Sequence, residues 1–195
     1  MLTKLEIKRQ LIHALLGIII VILLYFSIIS SAILFAVSAI GLILSFLSRK
    51  FNIPVIYGFL QIFDRKKDLE NFPGKGAVFY VIGAFVVVLI FPKEIAMASI
   101  MILALGDSVS RLVGPYGYLK HPFHNEKFFE GAIAGAIAGF LGAVFFVPWL
   151  FALIAASISM LIEGIDLEIK GFKIDDNLLI PIVAAVVMSS LNSLI

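Results

Sequence analysis

The sequence predicts an all-α, polytopic transmembrane helical bundle of about seven helices, with the N-terminus cytoplasmic and the C-terminus outside. Three observations carry this. Of 195 residues, 62% are hydrophobic, and the mean hydropathy is +1.12. Several apolar runs approach the roughly 20 helical residues that cross a bilayer core. These runs are continuously apolar, whereas the strands of a membrane barrel would alternate. So many crossings leave no length for a separate soluble domain, so residues 1–195 are expected to form one integral membrane domain in the cell membrane, multi-pass.

In chain order, helices are expected at about 8–29, 32–48, 76–91, 94–113, 129–147, 149–163 and 177–194. Lys4, Lys8 and Arg9 precede the first run. No small-x-small cleavage site separates it from the next, so it reads as an uncleaved helix. The segment Phe51 to Phe63 is too short to cross and is interrupted by Pro54 and Gly58, which suits an interfacial or re-entrant piece. The chain has no cysteine, which excludes disulfides, thiolate metal sites and a Cys nucleophile.

The charges sort by side. Every Lys and Arg except Lys93 falls in the N-terminus or in the connections and helix ends that would share its side. The positive-inside rule makes that side cytoplasmic. Every Asp and Glu except Glu94 joins them there, although acidic residues contribute little to orientation. One face therefore holds almost every group able to bind a metal or phosphate. That asymmetry suits an enzyme joining a cytosolic polar reactant to a lipid, and suits a symmetric transporter poorly.

The stretch from Gly106 to Gly117, GDSVSRLVGPYG, sets Asp107 about 10 Å inside the cytoplasmic end of its helix. An intramembrane carboxylate is costly and points to function. Arg111 lies one turn on, on the same face. The bland reading is an i,i+4 ion pair; the functional one is a Mg²⁺ ligand or phosphate-handling site. Gly114 and Gly117 end the helix, as a plain C-cap or as backbone that lets a phosphate approach. His121 and His124 are read as surface loop histidines, because Pro122 breaks any helical ligand face.

Lys127 and Glu130 open the fifth helix, followed by Gly131, Gly135 and Gly139. The glycine row is a packing face, within one subunit or between the copies of a homo-oligomer. Glu163 ends the sixth helix. Asp175, Asp176 and Asn177 open the seventh, where one of them suffices as a cap and the excess suits a second carboxylate source for a divalent metal. Arg9 and His13 lie one turn apart near the start of the first helix.

GDSVSRLVG, then NEKFFEGAIAG, then IDDNLLIPI, with EIKRQLIH near the N-terminus, resembles the CTP-dependent lipid kinases: dolichol or polyprenol kinase, phytol kinase and the yeast-type diacylglycerol kinase. The resemblance runs from about Glu6 to Pro181. Gln10 stands where many relatives have lysine, Ser110 where they have alanine, and Phe128 where they have a hydroxyl residue. It implies transfer of the γ-phosphoryl group of CTP, with Mg²⁺ or another divalent cation, to a membrane lipid alcohol. Asp107, Glu130 and Asp176 are the expected catalytic residues. Arg9, His13, Gly106, Arg111, Gly114, Lys127, Gly131 and Asn177 are expected at the nucleotide and its phosphates. Asp107, Asp176 and Glu163 are the expected metal ligands. No nucleic-acid partner is expected. The competing readings are a CTP-dependent cytidylyltransferase making a CDP-lipid, and a small membrane transporter using Asp107 as an ion relay.

Overall fold

The computed structural model describes residues 2–50, 72–120, 127–165, 168–169 and 172–193. Among these residues the chain forms seven helices: α1 Lys4–Tyr25, α2 Ser31–Lys50, α3 Lys75–Ile90, α4 Lys93–Tyr116, α5 Phe129–Ala143, α6 Trp149–Glu163 and α7 Asp176–Asn192. A two-residue hairpin pairs Glu168–Ile169 with Phe172–Lys173. Three helices, Lys4–Tyr25, Ser31–Ser48 and Lys93–Tyr116, are long and apolar enough to cross a membrane; the other four are apolar but shorter. Phe51–Phe63, His121 and His124 lie outside the described residues.

The first helix begins and ends about four residues earlier than its hydropathy suggests. At the start, the Thr3 side chain accepts the amide of Glu6 and caps the helix. At the end, Ser27 takes a positive φ of 55°, and the amides of Ser27 and Ile28 turn back to the carbonyls of Leu24 and Leu23. The apolar residues that follow therefore belong to the turn into α2.

Helix α4 is the centre of the bundle: it packs against α1, α3, α5, α6 and α7. From Ile95 to Ile100, and again at Ile102, Leu103 and Ala104, its residues are almost wholly buried, which explains why it shows no polar face. It is α-helical over Lys93–Met101, π-helical over Ile102–Asp107, α-helical again over Ser108–Val113, and ends in a 3-10 turn at Gly114–Tyr116. A π turn of this kind is often found at functional sites, and this one ends on Asp107.

The helices alternate in direction. Asn177 of α7 donates to the carbonyl of Gly76 in α3, and Lys75 pairs with Asp175 at 3.2 Å, so α3 and α7 start at the same end. Ser45 of α2 donates to Pro73 just before α3. At the opposite end Lys93 donates to the last carbonyl of α1, Tyr25, and to Ser27. The starts of α1, α3, α5 and α7 and the finishes of α4 and α6 thus gather at one end.

Candidate active site

Four helix segments bring charged side chains to that end. Arg111 donates through Nε to Asp107 Oδ1 at 2.7 Å and through a terminal nitrogen to Asp176 Oδ2 at 2.9 Å. The first bond is the i,i+4 pair that the spacing in α4 allows; the second crosses to the first residue of α7. Lys127, entering α5, lies 3.3 Å from the same oxygen of Asp176 and 3.5 Å from Glu163 Oε1, and also donates to the Glu163 backbone carbonyl. Ser110 donates to Glu163 Oε2 at 3.0 Å. Asp107, Glu163 and Asp176 each offer one oxygen within 4.8 Å of the others.

Two of the cluster's carboxylates are buried, Asp107 at 1% exposed and Glu163 at 3%, while Arg111, Lys127 and Asp176 are partly exposed. Three carboxyl groups face two basic side chains, Arg111 and Lys127, so with all five ionised one negative charge is in excess. Removing one partner from such a set strands a buried charge, at a cost of about 3–5 kcal/mol. An all-oxygen donor set from three helices suits a hard divalent cation such as Mg²⁺. One oxygen, Asp107 Oδ2, is buried without any hydrogen-bond partner; its neighbour His13 Nε2 stands 3.6 Å away. A carboxylate oxygen left bare inside a membrane helix is the signature of a group kept for a ligand.

Around the cluster, α1 supplies Gln10, whose backbone carbonyl accepts from Ser108, and Glu6, which pairs with Arg9 at 3.0 Å and accepts from the Gln10 side chain. Arg9 therefore sits on the rim with Glu6. Asn177 is buried and holds α3 to α7 through Gly76. The neighbouring Asp175 caps α7 through the Asn177 amide.

The structure does not bring Glu130 into this group. Its Oε1 accepts the amides of Tyr118 and Leu119 at 2.8 and 3.0 Å, which ties the loop after α4 to the start of α5. Of the three glycines expected near phosphate, Gly106 and Gly131 stand at close helix crossings, and Gly114 faces Gly131 with 3.9 Å to spare for a Cβ. A Cβ on Gly131 would lie 2.8 Å from both Gly114 Cα and the Ser110 carbonyl, and one on Gly106 would meet Met160 and the Gly135 carbonyl. Their smallness lets α4 approach α5 closely enough for Ser110 and Lys127 to share Glu163. Sequence reasoning missed Ser110 and Tyr80. Tyr80 is 1% exposed, with its ring edge-on to His13 at 4.6 Å; one tyrosine in an apolar run gives no periodic signal.

An uncharacterized protein of Methanocaldococcus jannaschii is 27% identical over 187 residues, 94% of this chain and 93% of its own length. The CTP-dependent diacylglycerol kinase 1 of Schizosaccharomyces pombe is 28% identical over 164 residues, 70% of each chain. The chloroplastic farnesol kinase of Arabidopsis thaliana is 31% identical over 125 residues, which span 57% of this chain and 41% of that one. This chain is thus similar to proteins named as a CTP-dependent diacylglycerol kinase and as a farnesol kinase. No family model matches it, and no solved structure matches it significantly. Of the site residues expected from the sequence, Asp107, Arg111, Lys127, Glu163 and Asp176 form the charged cluster, and His13 stands against it. Arg9 lies on the rim, and Glu130 holds the neighbouring loop.

Proposed function

We propose that the protein is a membrane lipid kinase that transfers the γ-phosphoryl group of CTP to the hydroxyl of an isoprenoid or glycerolipid alcohol at the cytoplasmic face. The observation that carries this reading is the partly buried, ion-paired set Asp107, Arg111, Asp176, Lys127 and Glu163. The names of the relatives support the nucleotide and the class of acceptor. The sidedness of the charges supports cytoplasmic access, and the packed length of the chain supports one catalytic domain over residues 1–195.

Phosphoryl transfer asks a protein mainly for positioning and charge neutralisation. The alcohol oxygen attacks the γ-phosphorus in line, the bond from that phosphorus to the β–γ bridging oxygen breaks, and CDP leaves. Asp107, through its unpartnered Oδ2, accepts the alcohol proton. Arg111 and Lys127, whose present partners are carboxylates, turn to the phosphate oxygens, with Arg9 at the rim. Asp107, Glu163 and Asp176 would hold Mg²⁺, which supplies neutralising charge to the phosphates when bound. With it the cluster changes from one negative charge in excess to one positive, the complement of a polyphosphate. Glu130 keeps the loop at Tyr118–Leu119 in place and Asn177 keeps α7 against α3, so both act through position.

The test is purified protein in detergent with γ-labelled CTP, ATP, GTP and UTP against farnesol, a long polyprenol and diacylglycerol. Labelled lipid with release of CDP supports the kinase reading. Pyrophosphate and a CDP-lipid from phosphatidate, added as a lipid-phosphate acceptor, would instead make the protein a cytidylyltransferase, and flux across proteoliposomes without labelling would make it a transporter.

A further inference from the structure

Asp107 also belongs to a polar group on the side of α1 and α3, which the ion pairs of the charged cluster do not account for. Of seven buried side-chain atoms without a hydrogen-bond partner among the described residues, three come from three neighbouring helices and lie close together: His13 Nε2 of α1, Tyr80 Oη of α3 and Asp107 Oδ2 of α4. They are linked in a chain. His13 Nε2 is 3.6 Å from Asp107 Oδ2, and the Tyr80 ring meets the His13 ring edge-on at 4.6 Å. The Tyr80 hydroxyl then lies over Gly17, one turn beyond His13: a Cβ on Gly17 would run into that oxygen and into Ala104. A core that only needed filling would use Phe at position 80, because a bare hydroxyl in an apolar interior is costly. Three bare atoms on three helices instead match a ligand that both gives and takes a hydrogen bond.

We propose that His13, Tyr80 and Asp107 form the binding site for the acceptor hydroxyl, taking a primary alcohol on an apolar chain. The inference rests on the kinase reading and deepens it. The alcohol O–H donates to Asp107 Oδ2, Tyr80 Oη donates to the alcohol oxygen, and His13 bridges the two. At this depth α1 meets α3 through His13 and Gly17 against Tyr80, so a lipid chain reaches the site by parting these two helices from the bilayer side. The charged cluster stays with the nucleotide. Tyr80 is then a positioning and specificity residue, and Gly17 is small to admit its hydroxyl.

Tyr80→Phe removes only the hydroxyl and keeps the ring against His13. The probes are farnesol and dioctanoylglycerol, each beside its methyl ether, which keeps chain and oxygen but has no O–H. Thermal stabilisation of the purified protein without nucleotide reads binding, and steady-state kinetics read KM. Farnesol or dioctanoylglycerol should stabilise the wild type about tenfold more effectively than its ether. Tyr80→Phe should weaken binding of that alcohol and raise its KM about tenfold, the worth of one hydrogen bond, with KM for CTP unchanged. A Tyr80→Phe protein that melts higher than the wild type and binds the alcohols equally well overturns the proposal, as does the absence of hydroxyl-dependent stabilisation by both alcohols. Hydroxyl-dependent binding without labelling from any nucleotide keeps this site and sinks the kinase reading; labelling with an unchanged lipid KM in Tyr80→Phe does the reverse.

Discussion

Arg111 is the single cation that ties α4 to α7, and Arg111→Met keeps its apolar stem while deleting the charge. Asp107 and Asp176 then face each other and Glu163 with Lys127 as the one remaining basic side chain of the cluster. Breaking a fully buried pair costs about 3–5 kcal/mol. The Arg111 side chain is 26% exposed, so partial solvent screening lowers the expected loss to about 2–3 kcal/mol. For a chain of this length that corresponds to a fall of roughly 4–12 °C in the midpoint of thermal unfolding. The cause is electrostatic, so a divalent cation should reverse it. Mg²⁺ at about a hundred times its dissociation constant stabilises the state that binds it by about 2.7 kcal/mol. The variant, with two more negative charges than cations, should reach that point at a lower concentration than the wild type. The assay is unfolding of detergent-solubilised protein across a Mg²⁺ titration, with Ca²⁺ and spermidine as controls for general screening. A variant that melts within about 1 °C of the wild type, or that gains no more from Mg²⁺ than the wild type does, refutes the description of these residues as one charge-balanced cation site.

Asp107→Asn should lower labelling of lipid alcohol by at least about a hundredfold, the usual contribution of a positioned base; near-normal turnover in a folded variant would remove Asp107 from the chemistry. Glu130→Gln should cost less than about tenfold, because the amide oxygen still accepts from the loop at Tyr118 and Leu119, and a loss as large as that of Asp107→Asn would make Glu130 catalytic. Gly131→Ala should destabilise by about 1–3 kcal/mol through its contacts with Gly114 and Ser110, whereas Gly114→Ala, whose Cβ has 3.9 Å of clearance, should be nearly silent in the same melt. The chain has no cysteine, so single replacements report sidedness directly. In oriented vesicles Tyr118→Cys should react with an impermeant maleimide from the cytoplasmic side and Ile28→Cys from the other, and labelling from one common side would overturn the alternating topology.

The helices were legible because long apolar runs have few alternatives in a chain this hydrophobic. Their ends were less so: the finish of α1 is set by a positive φ at Ser27, and Ser has no special claim to that conformation. Asp107 stood out by its cost, and its pairing with Arg111 followed from a local spacing. The bond from Arg111 to Asp176 spans 65 positions, and no periodicity encodes it. Lys127 and Glu130 looked equivalent at the mouth of α5, yet Lys127 precedes the helix and Glu130 lies in its first turn, and they reach different partners, one Glu163 and the other the loop amides. Gly106, Gly114 and Gly131 were ambiguous for a related reason: close approach to a phosphate and close approach to a helix both call for a missing side chain. Tyr80 was invisible because its significance lies in an unmet hydrogen bond, which only coordinates reveal.

The wide turn at Ile102–Asp107 sets the phase of α4. A regular α-helix advances about 100° per residue, and a single π turn accommodates one residue more than an α turn, so everything after Ile102 is rotated by about that angle relative to an unbroken helix. The first half of α4 can thus bury its apolar surface among five neighbours while the second half aims Asp107 and Arg111 at α1 and α7. Deleting one residue within the turn should relax it to plain α-helix without disturbing either flank, whereas adding one should swing the carboxylate toward a neighbouring apolar surface. The length of this short segment, more than the identity of its residues, decides where the most buried charged side chain among the described residues points.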